Sequence, residues 1–105
     1  MEIEARIYMV LPPAEGVSQS TGNPWKNQEF IAETLDIHPK KMCFKVSGGD
    51  KIQRLGLDKL KTGDKKKIFF SIDAREYQGR WYNEVACWDI RETDEAIRQD
   101  PSKAL

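Results

Sequence analysis

The chain has 105 residues, enough for one domain, and its 39% hydrophobic content supports one core rather than two. Seventeen basic side chains balance seventeen acidic ones, so the formal net charge is zero and no molecule-wide positive field draws in nucleic acid. Apolar runs are far shorter than the roughly 20 residues that span a bilayer, and Met1-Glu2-Ile3-Glu4-Ala5-Arg6 carries acid where a secretory signal is basic; a cytoplasmic location without membrane contact is expected.

Ile3, Ala5, Ile7, Met9 and Leu11 alternate with Glu2, Glu4, Arg6 and Tyr8, the period of a half-buried strand, which Pro12-Pro13 ends. The stretch from Ala14 to Pro24, rich in Gly, Ser, Thr, Asn and Pro with an isolated Val17, reads as a long loop. A second strand is expected from about Trp25 to Leu35 and a third from about Lys40 to Val46, joined by Asp36-Ile37-His38-Pro39. Gly48-Gly49 breaks the third strand, Asp50 is placed to cap a short helix with Ile52 and Leu55 on one face, and Gly56 to end it. The Thr62-Gly63-Asp64 turn then feeds a long strand from about Lys65 to Tyr77, and Gln78-Gly79 leads into a last strand from Arg80 to about Ile90. This order is that of the OB-fold, an all-β, five-stranded barrel with one short helix between strands 3 and 4. The domain is expected to cover 1–92, with a weakly structured tail over 93–105.

The last hairpin is the most informative segment. A two-residue loop sets Tyr77 against Arg80, Ile72 against Val85 and Phe70 against Cys87, apolar facing apolar. A three-residue loop would set Ile72 against Glu84 and bring a carboxylate to the core face, so the first register is preferred. It turns Arg75, Tyr77, Arg80, Tyr82, Glu84 and Trp88 outward and Trp81 inward.

Cations that follow phosphates and rings that stack on bases are what single-stranded nucleic acid requires, each stacked base being worth about 1–3 kcal/mol. Arg75, Tyr77, Arg80, Tyr82 and Trp88 supply both, and Trp25 is a further stacking candidate; Lys26, Lys40, Lys41 and Lys45 form a second tier. The same residue types suit a protein interface, and Trp25 equally suits a loop anchor, so from the residues alone both readings stay open. Glu29, Ile31 and Glu33 share one face, as do Lys41, Cys43 and Lys45; the carboxylates repel phosphate unless the lysines pair with them. A shallow salt dependence is therefore expected. His38, the only histidine, precedes a proline and has no partner at metal-ligand spacing, and no nucleophile-base pair or phosphate loop is present, so no catalysis, cofactor or metal is expected. Cys43 and Cys87 lie inside strands and read as free, buried thiols.

The string from Asp73 to Val85 resembles the hairpin between the fourth and fifth strands of bacterial single-stranded DNA-binding proteins. The strings 22–30, 39–44, 49–52 and 79–82 resemble, more closely still, a family of small bacterial and phage OB-fold proteins placed near them, over the whole of Met1 to about Glu92. The resemblance implies single-stranded DNA binding in replication, recombination or repair by a homodimer or homotetramer, with RNA as another candidate ligand. By position, Tyr77 stands where the larger family has a base-stacking tryptophan, and Trp25 lies near another aromatic position. The larger family's Gly/Gln-rich linker and acidic tip have no counterpart in Gln99 to Leu105. The alternative is an OB module whose aromatic face binds protein and no nucleic acid.

Overall fold

The computed structural model describes residues 1–93, so the expected tail lies, from residue 94 onward, outside the described residues. Six strands are formed: β1 (Glu2–Val10), β2 (Ala14–Val17), β3 (Pro24–Thr34), β4 (Lys41–Ser47), β5 (Lys65–Tyr77) and β6 (Arg80–Glu92). One helix, α1 (Gly49–Leu55), and a single 3-10 turn at Leu57–Lys59 lie between β4 and β5.

Five of these strands close the barrel. The first half of β1 pairs with β5 and the second half with β3; β3 pairs with β4 and β5 with β6, all antiparallel. The ring shuts where β4 meets β6 in parallel through one residue pair, Lys45 with Ala86. This is the expected OB-fold barrel, with its helix between the third and fourth barrel strands. The sixth strand is an addition: Ala14–Val17, read above as loop, pairs with Pro24–Asn27 as a short flap on β3. Gly16 makes this possible, because the Trp25 ring lies directly over it and a Cβ there would come within 2.8 Å of that ring.

The core is set by three phenylalanines from three strands. Phe30 and Phe44 stack at 5.2 Å between centroids, and Phe70 meets Phe44 edge-on at 5.5 Å. Ile7, Val46, Leu57, Ile68 and Cys87 fill the space around them. The helix begins two positions earlier than expected: Gly48, with φ 99°, precedes its first turn, and Asp50 lies within that turn, where its charge favours the helix N-terminus without capping it. Gly56 ends it as expected, in the left-handed conformation with φ 66°.

Two bulges alter the simple alternation. In β1 the register steps at Tyr8, so Met9, expected in the core, turns outward opposite Ile31 and Val10 packs against the core instead. In β6 the register steps at Trp88, with Phe70 opposite Cys87 but Phe69 opposite Asp89. Beyond that point the tip follows the expected register, Ile72 with Val85 and Tyr77 with Arg80, around a Gln78-Gly79 turn with both φ values positive.

The inward placement of Trp81 is overturned. The barrel wall ends near Phe70 and Cys87, and from Ser71 to Asn83 the hairpin stands clear with both faces exposed. Ile72 is 49% exposed and Trp81 68%, because no strand lies opposite them. Stability should follow this division. Phe44→Ala is expected to cost about 3–5 kcal/mol in urea unfolding, and Trp81→Ala less than about 1 kcal/mol. Equal losses would show that the tip belongs to the core.

Candidate nucleic-acid interface

The outer faces of β3 and β4 and the outer face of the standing hairpin meet at the barrel closure. Between them lies a groove of about 400 Å³, lined by Glu29, Cys43, Lys45, Arg75, Tyr82 and Glu84 among others. Register explains why these side chains gather. Glu29 sits opposite Lys45 and Ile31 opposite Cys43, all pointing away from the core, while Arg75 sits opposite Tyr82 one step above Asp73 and Glu84.

Glu84 organises the groove. Its Oε1 is 3.1 Å from Lys45 Nζ on β4, and its Oε2 is 3.0 Å from Arg75 Nε on β5, so one carboxylate ties both walls together. The hydrogen bond from Lys45, with the Lys45 and Arg75 charges behind it, holds the Glu84 carboxyl below its ordinary value despite the opposing effect of burial. Because the folded-state value is lowered, the contribution is present at neutral pH and fades only as acid takes the solution through that lowered value.

Each residue expected at the site can now be placed. Tyr77 (66% exposed) and Tyr82 (52%) stand free on the hairpin with Arg80 and Arg75 opposite them, as the register required. Lys45 joins them through Glu84. The others are not brought to this groove. Trp88 shares the outer face, but its ring packs at 5.1 Å on Phe69, with the Arg91 guanidinium 5.0 Å over the same Phe69 ring. Lys41 is held 4.7 Å over the Tyr8 ring. Lys40 is exposed ahead of β4, where its amide donates to the Thr34 hydroxyl. Trp25 and Lys26 line a separate apolar recess of about 760 Å³ with Gly16, Val17 and Gly48. Trp25 lies on the same strand face as Glu29 but four residues away, about 13 Å along the strand.

Sequence reasoning missed three features. Glu84 was placed on the right face without its role as the link between two cations. Trp81, expected to face inward, is exposed. The Phe69, Trp88 and Arg91 cluster depends on the β6 bulge, which alternation alone hides.

Both cysteines are free, Cys87 buried and Cys43, against expectation, exposed on the outer face of β4. Partial burial, and then the hydrogen bond its thiol donates to Glu29 Oε2 at 3.2 Å, push Cys43 up to about 11. Among the described residues no group of three or more His, Cys, Asp and Glu side chains could hold a metal ion, and no helix is long and apolar enough to cross a membrane.

A family model described as a domain of unknown function, DUF3127, matches residues 2–91. The chain belongs to this family. Among curated proteins none matches the sequence. The fold is similar to the single-stranded DNA binding protein of S. cerevisiae mitochondria, with TM-score 0.63 at 14% identity, covering 89% of this chain and 96% of that one. It is similar to an SSB domain from Synechococcus sp. as well, with TM-score 0.59 at 12% identity over 88% and 92% of the two chains. The dimeric N-terminal domain of PriB from Thermoanaerobacter tencongensis gives TM-score 0.56 at 17% identity over 89% and 93%. At these identities the likeness establishes the OB-fold of the DUF3127 chain.

A raised thiol is a protonated thiol, and the protonated form is a poor nucleophile. Alkylation of Cys43 by iodoacetamide should be slow at pH 8 and keep accelerating toward pH 11, and Glu29→Gln should speed it at pH 8. A rate that levels off near pH 8.5 would contradict the raised thiol, and an unchanged rate in Glu29→Gln would contradict the part the Glu29 contact plays in it.

Proposed function

We propose that this chain is a non-catalytic single-stranded DNA-binding protein acting where strands are exposed in replication, recombination or repair. The observation that carries this reading is the outer hairpin face: Tyr77 and Tyr82 stand exposed, each opposite an arginine, above a groove that contains Lys45. Exposed rings cost the free protein buried apolar area and give back about 1–3 kcal/mol for each base stacked on them. Arg80, opposite Tyr77 at the tip, is the cation placed to accompany the backbone of a strand stacked there. Of the proteins with similar folds, the one from S. cerevisiae mitochondria is described as single-stranded DNA binding and the one from Synechococcus sp. as an SSB domain, which supports the same reading.

Tryptophan fluorescence during titration with oligo-dT tests it. Trp25, Trp81 and Trp88 are all partly exposed and able to report. Saturable quenching that weakens with salt is expected, and Tyr77→Ala should lower affinity by about 1–3 kcal/mol, roughly 5- to 150-fold, with unfolding unchanged. No binding at low salt would sink the proposal.

A second reading concerns the reverse face of the hairpin. Ile72 and Trp81 are both exposed there, four residues apart along the ladder with Ala74 between their positions, apolar surface that suits a protein contact rather than a phosphate track. A second copy of the chain is the partner we assign to it, giving a homodimer. Sedimentation over a concentration range should show self-association that Trp81→Glu removes; a monomer at every concentration would contradict it.

A further inference from the structure

The groove holds two cations, Lys45 and Arg75, and both are already engaged. Each oxygen of Glu84 takes one of them, at 3.1 Å and 3.0 Å, the arrangement that two oxygens of a phosphate would otherwise adopt. The Glu84 side chain is 25% exposed and anchored in the sheet, whereas the Arg75 side chain is 72% exposed, so the carboxylate sits deep and the guanidinium reaches outward. Glu29 adds a second carboxylate to the same groove without pairing to either cation; it accepts the Cys43 thiol instead. The local charge is therefore two against two, in a groove placed between exposed tyrosines and the barrel wall.

We infer that Glu84 is an internal stand-in for a backbone phosphate, a specificity-determining carboxylate that makes the groove select unstacked bases and reject duplex. A phosphate reaching Lys45 or Arg75 must displace Glu84, and the counterions it releases are offset by those the freed carboxylate takes up. These two cations then contribute little net affinity and little salt dependence. What remains favourable is ring stacking on Tyr77 and Tyr82, which single strands offer and a duplex, with its bases already stacked inside, does not. Duplex, carrying one charge per roughly 1.7 Å of axis, has mainly phosphate to present and meets a groove without spare positive charge.

This inference rests on the strand-binding reading, and the experiment separates the two. Oligo-dT and a duplex of equal length are titrated at several salt concentrations with the wild-type chain, Glu84→Gln and Glu29→Gln. Freeing one or both cations in Glu84→Gln should steepen the slope of log affinity against log salt for oligo-dT by about 0.7 to 1.4, and raise duplex affinity at low salt at least tenfold. Glu29→Gln removes the same charge but releases no cation, so it should give a smaller gain and no added slope. Where Glu84→Gln fails to fold, Glu84→Asp, which withdraws the carboxylate by one methylene, should shift the slope in the same direction by a smaller amount.

An unchanged slope in the Glu84 variant that folds, or an equal effect of Glu29→Gln, overturns the inference while leaving strand binding intact. Failure of every chain to bind oligo-dT overturns both. A silent wild type beside a binding Glu84→Gln supports the inference and replaces constitutive binding by a held state.

Discussion

Two demands act on the long β5–β6 ladder, and they differ by one residue. At the tip, the Gln78-Gly79 turn sets Tyr77 against Arg80 and carries that register down to Phe70 and Cys87. Continued to the base, it would put Asp89 opposite the fully buried Ile68. The bulge at Trp88 resolves the conflict: Ile90 comes to lie opposite Ile68 and packs against the core, and the Asp89 side chain turns to its own neighbours, the Ile90 amide at 2.9 Å and Arg91 at 2.8 Å. One unpaired residue in the ladder spares the core an unpartnered carboxylate, whose burial costs more than a lost ladder bond. Everything built on this ladder, from the closure of the barrel to the faces of the hairpin, inherits that adjustment.

The closure itself is slight in backbone terms. β4 and β6 share one parallel residue pair, where their neighbours in the ring share five or more. Side chains make up the difference, since Lys45 reaches across to Glu84 and Glu84 reaches on to Arg75. The weakest seam of the barrel and the groove bridged by Glu84 are thus the same place. A groove at that seam needs no separate scaffold: the ion contacts that hold the walls in position also set the charge a ligand meets.

Much of this architecture is legible in the sequence because apolar residues must find apolar partners. The register of the tip followed from setting Ile72 against Val85 and Phe70 against Cys87, and the outward face of β3 and β4 followed from strict alternation. Both bulges escaped, since a single-residue step leaves each flanking run looking regular; only the three-residue spacing of Cys87 and Ile90 hints at the second. The exposure of Trp81 is illegible for a different reason: alternation says which face a residue takes but not whether anything lies across from it. The flap at Ala14–Val17 carries too few apolar residues to announce a strand, and it depends on a contact between Gly16 and Trp25 that local pattern does not contain. Lys41 and Trp88 kept their expected faces yet were claimed by the neighbouring rings of Tyr8 and Phe69.

The exposed reach of the hairpin has a consequence for how this protein can change. A two-stranded ladder with water on both sides contributes little to the cooperative unit that holds the barrel together, so it can open and reclose without the core taking part. Residues between Ser71 and Asn83 are correspondingly uncoupled from the threshold that folding imposes on Phe30, Phe44 and Phe70. Substitutions there are screened by whatever the hairpin touches and hardly at all by the fold. A lineage carrying this barrel can therefore exchange the chemistry of its tip, residue by residue, while the phenylalanine core stays as it is.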